Sequence, residues 1–279
     1  MKRRIIAALA ALALGAGLFT VGGALPASAA PQSVVKLVAL GDSIAAGQGG
    51  GVPLDTCART AGGYAAQLDQ IPKVNLLRNA ACTGATIEDT WAQLSQVNRG
   101  TTAVTLTVGA NDLGLDAIYS ACSAAAAGAD PTACITAIQG AYMAAPGLVP
   151  ELTSLIAAIS ERAPNATIVV TGYPHLFAAA PPIPQFDNLN ILIAQANGAT
   201  DALNTAIQAA VATAAANGAT VVYADVVGAF AGHGVQLVQG VPSAPWFGTD
   251  PMNDPAGYLH PTYAGYTAYT SVIKDRLGL

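Results

Sequence analysis

Charge is what this chain of 279 residues has least of. Only 10% of its residues are Asp, Glu, Lys or Arg, where a globular domain usually carries about a quarter. Lys and Arg number 11 and Asp and Glu 16. Nothing resembles the clustered basic surface that a nucleic acid requires, so a nucleic-acid partner is excluded. The four cysteines, Cys57, Cys82, Cys122 and Cys134, include no pair at the short spacing of zinc ligands. A metal site remains only as the alternative to disulfides. The Gly-rich stretch at residues 47–57 (GQGGGVPLDTC) lacks the Gly-Lys-Ser/Thr ending of a phosphate-cradling loop. Beyond the first 29 residues there is no further unbroken apolar run of about 18 residues, so the mature chain is expected to be soluble.

The beginning of the chain reads as a targeting segment. Met1-Lys2-Arg3-Arg4 is basic, residues 5–25 are apolar, and Pro26 is followed by Ala27-Ser28-Ala29. This is the pattern of a secretory signal cleaved after Ala29; an uncleaved anchor is the alternative. No Cys follows the apolar run, which argues against a lipoprotein. Removing residues 1–29 leaves residues 30–279, with 8 basic against 16 acidic residues and a net charge near −8. That length suits one α/β domain. In an exported chain an even number of cysteines favours disulfides, and the sequential pairing Cys57–Cys82 and Cys122–Cys134 closes the shortest loops.

Periodicity places strands at residues 34–40, 73–77, 102–108, 166–171 and 220–224. Helices are expected at 62–70, 86–97, 115–127, 131–144, 148–162, 188–216 and 262–277. The near-continuous apolar strands and their alternation with helices predict a parallel five-stranded sheet covered on both faces. Residues 226–254 form a long Gly- and Pro-rich region with no clear helix. In such folds sites form beyond the carboxyl ends of the strands. The segments after the first three strands carry Ser43, Gly84 and Asn111.

Ser43 ends the turn Gly41-Asp42-Ser43 at the head of a helix. It suits either a displayed nucleophile or an ordinary helix cap. A serine nucleophile needs a base. The three histidines, His175, His233 and His260, are all candidates. His260 leads because it stands at the start of the last helix, where geometry is fixed. Acyl transfer also needs donors for a developing oxyanion. The N–H of Gly84, the amide of Asn111 and the N–H of Ser43 can serve, although a plain turn glycine and a loop-capping Asn look the same in sequence.

Four blocks in order carry a resemblance. They are Leu40-Gly41-Asp42-Ser43, Gly84 within NAACTGAT (residues 79–86), Gly109-Ala110-Asn111-Asp112, and His260-Pro261-Thr262 with Gly265. Across essentially the whole mature chain they resemble the SGNH, or GDSL, hydrolases, most closely the secreted actinobacterial lipases and esterases. The resemblance implies a three-layer α/β/α, flavodoxin-like fold. It implies Ser43 as nucleophile, His260 as base, and Ser43 N–H, Gly84 N–H and the Asn111 side chain as oxyanion hole, together with the sequential disulfides. It leaves His233 on the rim and His175 without a role. The implied activity is two-step hydrolysis of carboxylic esters, of small molecules or lipids, with no metal or cofactor. A secreted monomer with no stable membrane insertion is expected. A carbohydrate O-acetylesterase, an acyltransferase and a non-catalytic exported binding protein are the rival readings.

Two departures stand out. Relatives carry Asp three residues before the His, where this chain has Gly257, and the nearest preceding acid is Asp254. The Gly257 backbone carbonyl, or else Asp254, is the expected group behind His260. A third cysteine pair, often present after the Phe230 region in these relatives, is missing. The loops at 47–57, 178–186 and 226–254 are expected to wall the acyl pocket.

Overall fold

The structure is a computed structural model that describes residues 34–279. The expected leader and the expected cleavage after Ala29 lie outside the described residues. Five strands make one wholly parallel sheet: β1 (Val35–Gly41), β2 (Val74–Asn79), β3 (Ala103–Thr107), β4 (Thr167–Thr171) and β5 (Val221–Ala224), in the order β2-β1-β3-β4-β5. All five residues of β3 are buried, as expected of a strand covered on both faces. The two edge strands, β2 and β5, are the more exposed.

Among the described residues, eight α-helices complete the fold: α1 (Ser43–Ala46), α2 (Tyr64–Asp69), α3 (Ile87–Gln93), α4 (Leu115–Ala126), α5 (Thr132–Ala144), α6 (Leu148–Arg162), α7 (Asp187–Ala216) and α8 (Tyr263–Leu277). Helix α8 packs on α2 and against β4 and β5, while α3 and α7 both pack on α6. The result is the three-layer, flavodoxin-like α/β/α arrangement. Its strand order reverses at β1, between β2 and β3, and that reversal opens the crevice in which such sheets bind ligands.

Local chemistry explains the element ends. Gly41 has φ +126°, and a Cβ there would lie 1.9 Å from the Thr107 carbonyl oxygen. Only glycine lets β1 turn so close to β3. Thr86 and Asp89 form a reciprocal capping box at the head of α3. Under α8, Tyr64, Tyr266 and Tyr269 are fully buried. Each hydroxyl finds a partner at the site end of the sheet: Tyr64 with Thr107 Oγ1, Tyr266 with the Gln48 carbonyl and Tyr269 with the Gly172 carbonyl. Buried tyrosines thus supply apolar area and fix the loops that carry the site.

Disulfides join Cys57 to Cys82 and Cys122 to Cys134. The first ties the Gly-rich loop after α1 to the loop after β2. The second ties α4 to α5. Helices α5 and α6 run on through a short 3-10 turn, and Thr132–Arg162 is long and apolar enough to cross a membrane by length and composition. The sequence showed no unbroken apolar run there, because polar residues punctuate it. Its buried residues, Cys134, Ile138, Leu152, Ile156 and Ile159 among them, face the domain, where α5 packs on α4 and α7 and α6 packs on α7.

Candidate active site

Strand β1 delivers Ser43 to the first position of α1, and Asp42 caps that helix by accepting from the Ile44 N–H at 2.9 Å. At the other end of the chain, the loop before α8 presents His260. Ser43 Oγ and His260 Nε2 are 2.9 Å apart. His260 Nδ1 lies 2.9 Å from the Tyr258 carbonyl oxygen. A carbonyl can only accept, so Nδ1 carries the proton and donates it there. Nε2 is left with its lone pair toward the Ser43 hydroxyl. Burial pushes the His260 pKa below the ordinary histidine range, while the Tyr258 carbonyl and the charges of Asp116 and Asp254 pull the other way. The ring is therefore neutral, and able to take a proton, at neutral pH.

The group behind the histidine is not the one expected. The Gly257 carbonyl accepts the backbone N–H of His260 at 3.0 Å, so it closes the turn and does not face the ring. Asp254 accepts the Gly257 N–H at 2.9 Å and shapes the same turn. The reason lies in the backbone just before His260. Leu259 adopts φ +60°, a left-handed conformation that costs a non-glycine residue energy. That turn swings the carbonyl two residues before His260 under the imidazole. A carbonyl occurs at every residue, so no side-chain motif announces this one.

Asn111 follows β3 and lines the same cavity as Ser43 and His260. Its amide donates to the Ala85 carbonyl at 2.8 Å, which leaves one amide hydrogen uncommitted. That bond also holds the loop of Gly84, a residue with φ +75° and open space where a Cβ would be. The Cys57–Cys82 bridge anchors the other end of the loop. Asp112 accepts from the Ile87 N–H and so braces the head of α3.

The other two histidines stand elsewhere. His175 Nε2 pairs with Asp201 at 2.7 Å. His233 bonds the Ala244 carbonyl through Nδ1 and stacks on Trp246 at 3.6 Å between ring centroids. Trp246 thereby has one face occupied by a side chain of its own protein.

The cavity walls also differ from expectation. Ile44, Leu115, Tyr119, Leu176, Phe247 and Leu259 supply the apolar lining. Of the three loops expected to form the pocket, only the third contributes, through Phe247. The start of α4, led over the site by the turn after β3, and the segment Tyr173–Leu176 after β4 take the place of the other two. Beneath Ser43, Asp42 is fully buried and accepts a hydrogen bond from Tyr173 at 2.5 Å. Burial drives its pKa up to about 7. In the sequence Asp42 reads as ordinary turn chemistry. Its place between an apolar strand and a buried turn is the available signal. Among the described residues, no group of three His, Cys, Asp or Glu could hold a metal ion.

A serine–histidine pair in a cleft at the switch point of a parallel sheet invites comparison with known proteins. Residues 39–268 match the GDSL-like Lipase/Acylhydrolase family. The chain is 30% identical to Lipase 1 of Streptomyces coelicolor over 272 residues, 95% of each chain. It superposes on the extracellular lipase of Streptomyces rimosus with a TM-score of 0.73 and 29% identity, covering 86% of this chain and 99% of that one. For phospholipase A1 of Streptomyces albidoflavus NA297 the TM-score is 0.74 at 27% identity, with 87% and 99% covered. Fold, order of blocks and likeness along nearly the whole length agree: the chain belongs to the GDSL-like lipase/acylhydrolase family, and it is a carboxylic ester hydrolase.

Proposed function

We propose that this ester hydrolase works through a Ser43–His260 dyad and an acyl-enzyme intermediate, on esters with an apolar acyl chain, including lipids. The contact of 2.9 Å between Ser43 Oγ and His260 Nε2, with Nδ1–H held by the Tyr258 carbonyl, carries the reading. His260 takes the hydroxyl proton as Ser43 Oγ attacks the ester carbonyl carbon. The resulting oxyanion receives hydrogen bonds from the Ser43 N–H, the Gly84 N–H and the free amide hydrogen of Asn111. The imidazolium then protonates the departing alcohol oxygen as the carbon–oxygen bond breaks. Water, deprotonated by the same ring, releases the acid and restores Ser43. The Tyr258 carbonyl dipole takes the place of the usual third carboxylate.

The apolar lining of the cavity supports an acyl chain over a sugar. Trp246, the aromatic best suited to stacking a sugar, already stacks on His233. The relative described as an extracellular lipase and the leader sequence support a secreted enzyme, cleaved after Ala29.

Ser43→Ala tests the dyad. Hydrolysis of a short p-nitrophenyl ester is expected to fall by about 10³-fold or more, and fluorophosphonate labelling is expected to vanish. Retained turnover in that variant rejects Ser43 as the nucleophile.

A further inference from the structure

We infer that Gln48 is a positioning residue that holds the nucleophile turn, the Gly84 loop and the histidine loop in register. The inference rests on the dyad reading above. Gln48 follows closely on α1 and is fixed through its backbone: its N–H donates to the Ser43 carbonyl at 3.0 Å and its carbonyl accepts from Tyr266 at 2.7 Å. Its side chain then reaches two other loops. Nε2 donates to the Ala256 carbonyl at 2.7 Å, and Oε1 accepts from the Thr83 hydroxyl at 2.6 Å. The amide orientation follows from chemistry, because a carbonyl such as that of Ala256 needs a donor. One side chain therefore joins the residue preceding Gly84 to the loop that ends in His260.

The same amide nitrogen lies 3.4 Å from His260 Nδ1. At that distance it makes no strong hydrogen bond to a ring nitrogen already donating to Tyr258. It is close enough, however, for a charge placed there to act on the ring. The charged groups already acting on His260 are Asp254 of its own loop and Asp116 of α4, and both remain in every variant below. Position 48 thus sits where a neutral amide bridges loops without stabilising the imidazolium.

Four variants test this with a soluble p-nitrophenyl ester. Gln48→Ala is expected to lower kcat about tenfold or more, the scale of a misplaced reacting group, with KM within about twofold. Thr83→Val is expected to lower kcat in the same direction, and Thr83→Ser, which keeps the hydroxyl, to restore it. Gln48→Glu sets a carboxylate near Nδ1, which favours the protonated ring. The acid limb of its kcat/KM profile is expected to move up by about one pH unit. A residue that only stabilised the fold would leave that limb where it is. Wild-type kcat in Gln48→Ala, or an unmoved limb in a folded Gln48→Glu, overturns the inference. If Gln48→Glu does not fold, the Thr83→Val and Thr83→Ser pair decides. Ser43→Ala run alongside separates the two levels: activity there rejects the dyad, whereas an inactive Ser43→Ala beside an unaffected Gln48→Ala rejects only the role of Gln48.

Discussion

Replacing Asp42 with Asn removes one carboxylate from beneath Ser43 and leaves nearly everything else in place. Asn is as good a helix cap as Asp, so the bond from the Ile44 N–H persists. Asp42 is buried, and its pKa rises from the ordinary 3.8 to about 7. The causes, largest first, are loss of solvation, which raises it, then the bonds from Tyr173, Ile44 and Ala45, which lower it, with the charge of Asp116 raising it slightly. The folded value lies above the unfolded one, so between pH 4 and pH 7 the folded chain keeps a proton that the unfolded chain has released. Stability is full below the unfolded value and falls as pH rises through that window. At about 1.4 kcal/mol per pH unit, the loss reaches roughly 4 kcal/mol by pH 8. An asparagine side chain does not ionise, so the variant escapes this loss, and contributions from all other groups cancel in the difference between the two proteins. Urea unfolding, with disulfides intact, is run on both proteins from pH 4 to pH 8. The stability of Asp42→Asn relative to wild type is expected to rise by roughly 4 kcal/mol across that range, a divergence of about 1 to 2 M urea in midpoint. Stability curves that stay parallel from pH 4 to pH 8 refute the reasoning, because they require Asp42 to titrate alike in folded and unfolded chains.

Two further outcomes are expected. Asp254→Ala removes the acceptor for the Gly257 N–H but not the Tyr258 carbonyl, so turnover of a short ester falls less than about tenfold; a drop of about 10³-fold, as triad acids can show, places Asp254 behind the histidine after all. Replacing both Cys122 and Cys134 with Ser opens a loop with sequence separation 12 and is expected to cost about 3 kcal/mol in thermal or urea unfolding. Short-ester kcat, measured well below the new midpoint, is expected to hold, because the bridge lies between α4 and α5 beyond the cavity wall.

What sequence made legible follows from which physical signals are local. The strands at residues 34–40 and 102–108 are runs of apolar and β-branched residues, and they appear as β1 and β3 within a residue or so at either end. Thr86 followed by Glu88 and Asp89 announced the head of α3, and the capping box is there. Ser43, Asn111 and His260 were visible because each stands at a strand or helix end and carries distinctive chemistry. The group behind His260 was not visible, because a backbone carbonyl has no side-chain signature and its aim depends on the left-handed turn at Leu259. The cavity wall was missed for a related reason. The start of α4, Leu115-Asp116-Ala117-Ile118-Tyr119, gives no sign in sequence of facing the site until the turn after β3 sets its direction. Gln48 was hidden within a run of glycines, where flexibility and not a triple anchor is the natural inference.

The bond between Ser43 and His260 joins residues 217 positions apart. Under the proposed chemistry the nucleophile is therefore among the first parts of the domain to leave the ribosome, and its base is among the last. A growing chain carries Ser43 without the means to activate it until α8 docks on α2 and β4. Reactivity in this fold is thus a report of completion: an ester is cleaved only by a molecule whose two ends have met.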